Sequence, residues 1–157
     1  FDVITSVAKF TSANDFNLTC HAHAKGARVI DWTGIGGLSP NPYNEPWIML
    51  EPELRGKWIH DAVAYLSSLG LDGAVLDIEG LNDSIQTWNT TAVGRLRAGL
   101  VATVCELRKA LDAAIPGALL TFNTNWFGAK ATAAHPLSAE RVYDLVGLSE
   151  CVDFLNP

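Results

Sequence analysis

From Glu53 to Leu69 the apolar residues Leu54, Trp58, Ile59, Ala62, Tyr65, Leu66 and Leu69 recur at spacings of mostly three and four, the period of an amphipathic helix. The period then changes. After a Gly break at Gly70, the stretch from Leu69 to Gly80 (LGLDGAVLDIEG) reads as a strand with Gly73, Val75, Asp77 and Glu79 on one face and Ala74, Leu76 and Ile78 on the other. A second helical pattern, Thr90 to Ala114, puts Val93, Leu96, Leu100, Val104, Leu107 and Leu111 on one face, with Arg95, Arg97, Arg108 and Lys109 largely off it. Pro116-Gly117 ends it. Further strands are predicted at Val3–Phe10, Ala27–Trp32, Ala118–Asn123 and Val152–Leu155, and further helices at Phe16–Lys25 and Ser138–Gly147. Thr33 to Pro46 is a long Gly/Pro-rich loop between Trp32 and Trp47. A helix separates each strand from the next, so the fold class is α/β with parallel strands and crossover helices.

The central strand is apolar on both faces, as a sheet covered by helices requires, and it ends in two acids on the same face, Asp77 and Glu79. Carboxylates at the C-terminal end of a buried parallel strand stand where α/β barrels keep their chemistry. The alternative is a strand running out into a solvated acidic turn. Two carboxylates converging on one sugar bond, one of them carrying the proton for the leaving oxygen, are the usual apparatus of glycoside hydrolysis. Trp32, Trp47 and Trp126, near predicted strand ends, offer flat surfaces for sugar rings, although each taken singly also suits a core position.

Composition narrows the classes. At 157 residues, 48% hydrophobic and 18% charged, the chain fits one globular domain. A net charge of −6 without a basic run argues against a nucleic-acid partner. No apolar stretch approaches the roughly 20 residues of a membrane span, so no membrane partner is expected. The chain begins with Phe1, and its true N-terminus is expected to lie upstream. Cys20, Cys105 and Cys151 have no close spacing, so buried free thiols are expected, with one bridge as the alternative. The sequons at Asn17, Asn82 and Asn89 tilt the compartment toward the secretory route. His21 and His23 face different ways on a helix, which favours structural roles, and His60 and His135 show no partner carboxylate at a recognisable spacing. No metal and no cofactor are assigned.

The octapeptide Asp72-Gly73-Ala74-Val75-Leu76-Asp77-Ile78-Glu79 resembles the DGxDxDxE signature of the family 18 glycoside hydrolases. The di-N-acetylchitobiase branch is the nearest likeness, through the block from Cys20 to Val29, through Thr121-Phe122-Asn123 with Trp126, and through Cys151-Val152-Asp153-Phe154. These blocks run collinearly over nearly the whole chain. The resemblance implies a (β/α)8 TIM barrel of which residues 1–157 supply about strands 2 to 6, a single incomplete catalytic domain. It implies substrate-assisted retention, with Glu79 as general acid/base and Asp77 orienting the substrate N-acetyl group, an exception to the two-carboxylate scheme. Asn123, Trp126 and Trp32 are then substrate-binding candidates. Two departures stand out: Val75 replaces the signature's middle Asp, and the Tyr expected after the sixth strand would lie beyond Pro157.

The expected partner is therefore an N-acetylglucosamine-containing oligosaccharide, cleaved at β-1,4 linkages of the chitobiose type. A lysosomal or secreted setting goes with it. An endo-acting chitinase or endo-β-N-acetylglucosaminidase is the second enzyme reading. A non-catalytic chitin-binding lectin on the same barrel is the third, and retention of Glu79 argues against it. The 157-residue chain by itself is expected to be inactive and poorly soluble, because an unclosed barrel leaves sheet edges and an apolar inner face open.

Overall fold

The computed structural model describes residues 3–6, 13–33, 47–77, 90–124 and 143–156. In chain order these form β1 (Val3–Ser6), α1 (Ala13–Ala24), β2 (Arg28–Thr33), α2 (Trp47–Leu50), α3 (Pro52–Ser68), β3 (Gly73–Asp77), α4 (Thr90–Ala114), β4 (Leu119–Asn123), α5 (Leu145–Ser149) and β5 (Phe154–Asn156). The five strands form one sheet in chain order, and each neighbouring pair is parallel. The α/β reading from the hydrophobic pattern therefore holds.

Alternation sorts the strand residues onto two faces. Val29, Ala74, Leu76, Leu120 and Phe122 join one core with Trp58, Ala62 and Leu66 of α3 and Leu100, Val104, Leu107 and Leu111 of α4. The apolar stripes predicted for α3 and α4 are thus the faces laid on the sheet, and the burial of these side chains drives the packing. The two helices are also tied by Arg55, 8% exposed, whose Nε and Nη2 each donate to Glu106 at 2.9 Å while Nη1 donates to the Met49 carbonyl at 3.1 Å. That bidentate geometry satisfies a guanidinium that the helical pattern alone would have left facing the core.

Two glycines permit close backbone approach. A Cβ on Gly73 would fall on the Leu119 carbonyl across the β3–β4 pair, and the residue has φ +155°, so glycine is a steric requirement there. A Cβ on Gly99 would meet the Met49 carbonyl where α4 passes α2.

An aspartate precedes two of the strands and latches each to its neighbour. Asp72 donates its N–H to the Val29 carbonyl at 2.8 Å, and its Oδ2 accepts from the Val29 N–H at 2.7 Å. Asp153 repeats this on Leu120, at 2.8 and 2.7 Å. Each carboxylate also meets a cationic or ring nitrogen from an earlier helix, His23 Nε2 at 2.7 Å and Arg108 Nη1 at 3.2 Å respectively. A latch recurring every second strand accounts for the first acid of the octapeptide. Asp72 holds β3 in register.

Some boundaries differ from the sequence expectation. The α4 limits agree, whereas α2 was not anticipated, because four residues after a loop are too few to show a period. The helix expected from Ser138 does not run through Tyr143 and Asp144; Asp144 caps α5 by accepting from the Gly147 N–H at 3.1 Å, so α5 starts at Leu145. The last strand starts at Phe154 rather than Val152, since Asp153 is turned toward β4. Residues 7–10, 34–46 and 138–142 of the predicted elements lie outside the described residues.

Cysteine usage is corrected. Cys105 on α4 and Cys151, in the turn between α5 and β5, are joined by a disulfide with Cα atoms 4.9 Å apart, and Cys20 is free and exposed. Buried free thiols were expected because a separation of 46 residues gives no local signal of pairing.

Candidate active site

The C-terminal ends of β3, β4 and β5 bring three polar residues into one row. Asp77 is the register partner of Asn123, and Asn123 is the register partner of Asn156. Below them Val75 pairs with Thr121, and on its other side with Trp32. Paired residues of parallel strands share a face, so the row lies opposite the helix-packed face that carries Leu76 and Phe122.

Asp77 is half-buried, yet its Oδ1 is shut off from solvent and, among the described residues, receives no hydrogen bond. Leaving a buried acceptor of this kind without a donor costs about 1 to 3 kcal/mol, more for a charged group, so folds retain one only where something else uses it. The Thr121 hydroxyl oxygen, two residues before Asn123 on β4, is likewise enclosed and has no partner among the described residues. Beneath Asp77, Val75 is 3% exposed and fills the position where the family signature carries its middle acid.

Asn123 is held by its neighbour. Asn156 Nδ2 donates to Asn123 Oδ1 at 2.9 Å, while the Thr124 N–H and hydroxyl both donate to the Asn156 carbonyl, at 2.7 and 3.0 Å. Asn156 was not among the sequence candidates. The signal available was the repeated ending of two strands, Thr121-Phe122-Asn123 and Phe154-Leu155-Asn156, which puts an asparagine in the same phase on adjacent strands.

Glu79 and Trp126 lie outside the described residues, as does the Trp32 side chain; the backbone of Trp32 is in β2. Of the candidates, Asp77 and Asn123 are therefore the pair that the described structure brings together. Asp31, though fully buried and near the end of β2, belongs elsewhere: it is in register with Ala74 and accepts from the Tyr65 hydroxyl at 2.7 Å on the helix side. His60 corrects another expectation, because its Nδ1 lies 3.1 Å from Asp61 Oδ1, an exposed pair of adjacent residues. Among the described residues no group of three or more His, Cys, Asp or Glu is arranged to hold a metal, and no helix is long and apolar enough to cross a membrane. Asn17, the sequon residue on α1, is exposed; Asn82 and Asn89 lie outside the described residues.

Over 153 residues, 97% of its length, the chain is 28% identical to the di-N-acetylchitobiase of Mus musculus. The chain is di-N-acetylchitobiase-like. It spans 35% of the mouse protein's length. No protein-family profile matches it. Among solved structures, the C-terminal domain of a chitinase-like protein of Desulfitobacterium hafniense superposes with TM-score 0.67 at 24% identity, covering 95% of this chain and 39% of that one. A catalytic domain of Ostrinia furnacalis Group II chitinase, solved in complex with a chito-oligosaccharide, gives TM-score 0.64 at 20% identity, covering 90% and 33%. At these identities the structures establish the fold: five parallel strands of a curled half-barrel with helices, like those of chitinase catalytic domains.

Proposed function

We propose that the chain is the acid-bearing part of a family 18 glycoside hydrolase, about strands 2 to 6 of a (β/α)8 barrel, which cleaves β-1,4-linked N-acetylglucosamine with retention. The observation that supports this reading is the enclosed oxygen of Asp77 at the C-terminal end of β3, which no donor among the described residues reaches. An acetamido N–H is a donor that suits it. Accepting that hydrogen bond would turn the acetamido group so that its carbonyl oxygen attacks the anomeric carbon as the glycosidic bond breaks. Glu79, two residues on, would protonate the departing oxygen and then take a proton from the water that opens the cyclic intermediate. Asn123 beside Asp77 would hold the same sugar, with Trp32 and Trp126 as the ring platforms. No cofactor enters any of these steps.

The likeness to di-N-acetylchitobiases favours release of N-acetylglucosamine from chitobiose-type ends, and the chitinase-like fold keeps endo-action on longer chains as the second reading. The disulfide between Cys105 and Cys151 favours folding in an oxidising compartment, consistent with a lysosomal or secreted protein glycosylated at Asn17. Since the chain spans about a third of its relatives, activity is expected from the complete gene product and not from residues 1–157 alone. The test is hydrolysis of chitobiose and of chito-oligosaccharides of increasing length by that complete protein. Faster turnover of chitobiose supports the chitobiase reading, and preference for long chains the endo reading. Binding without turnover overturns both in favour of a lectin.

A further inference from the structure

We infer that Asn156 is a positioning residue: it fixes which way the Asn123 amide faces and so presents an N–H donor to the sugar beside Asp77. The inference rests on the glycosidase reading above. A primary amide has one acceptor end and one donor end, and at a strand terminus either can face the site. Here Asn156 Nδ2 donates to Asn123 Oδ1 at 2.9 Å, which commits the acceptor end to the β5 side. The Asn123 NH2 is then the end that Asn156 does not engage, and the register partner of Asn123 on the neighbouring β3 is Asp77. The row consequently reads acceptor at Asp77 and donor at Asn123. An acetamido group or a ring hydroxyl alongside Asp77 offers the complementary pair, an N–H or O–H to the carboxylate and an oxygen to the amide.

The side chain of Asn156 is not needed to hold β5 in place. Its backbone carbonyl accepts from both the Thr124 N–H and hydroxyl, Asn123 and Asn156 are paired in the ladder, and Asp153 latches β5 to Leu120. Removing the side-chain amide should leave the strand paired while freeing Asn123 to rotate.

The experiment is a double-mutant cycle in the complete protein with Asn156→Ala and Asn123→Ala, measuring kcat and KM on chitobiose together with thermal stability. Asn156→Ala is expected to raise KM about tenfold with kcat nearly unchanged, as loss of one hydrogen bond made equally in the ground and transition states would do. In the Asn123→Ala background it should change nothing further. Asn123→Asp keeps the acceptor for Asn156 but has no donor, and should raise KM as Asn123→Ala does. Additive effects of the two alanine changes, or a KM for Asn156→Ala within about twofold of wild type, would overturn the inference while leaving the glycosidase reading intact. A wild-type protein that turns over no N-acetylglucosamine oligomer would overturn that reading and this inference with it.

Discussion

Glu79→Gln in the complete protein is expected to abolish nearly all turnover of chito-oligosaccharides while leaving their binding in place. Glutamine keeps the shape and one acceptor oxygen of the side chain, but it cannot give a proton to the leaving oxygen nor take one from water. Loss of a positioned general acid costs about 10² to 10⁴ in rate. The binding should survive because the enclosed Asp77 oxygen and the Asn123 amide are untouched by the change. Steady-state kinetics with calorimetric binding of an N-acetylglucosamine oligomer measure both halves. A mutant within about threefold of wild type would remove Glu79 from the role of acid.

The second large effect is on stability. Replacing Cys105 and Cys151 together by alanine is expected to destabilise the protein by about 4 kcal/mol, the loop-closure value for a bridge spanning a few tens of residues. The bridge holds the turn that leads into β5 against α4, and β5 carries Asn156 to the site. Activity at temperatures near unfolding should therefore fall before the fold as a whole is lost. Denaturant unfolding with and without reductant measures it: wild type should lose stability on reduction, and the double mutant should be indifferent to reductant. A wild type equally stable in both conditions would show that the bridge carries no stability.

The sequence made the local features legible. The spacing of Leu96, Leu100, Val104, Leu107 and Leu111 marked the buried stripe of α4, and the two-residue alternation through β3 marked which side of the sheet Asp77 would take. Both follow from periods intrinsic to the backbone. What depended on partners distant in sequence was not legible. The latch from Asp72 to Val29 crosses 43 residues, the bridge from Cys105 to Cys151 crosses 46, and Asn156 reaches Asn123 across 33, and no periodicity reports such contacts. Alternation puts Gly73 on the face of the two acids, but the need for glycine there comes from the Leu119 backbone across the sheet. Val75 shows a similar division. Its departure from the signature was visible in the sequence, but its packing, buried and in register with Thr121, emerges only from the sheet.

That the substrate's own acetamido group, oriented by Asp77, is the nucleophile is our proposal. It is tested most directly by the rate of the complete protein on matched chitobiosides whose N-acetyl methyl group carries zero, one, two or three fluorines. Fluorine withdraws electron density from the carbonyl oxygen without removing it, so the account predicts that kcat falls steeply with each fluorine added. A rate insensitive to fluorine would contradict it, and would hand the nucleophile's role to a group of the protein.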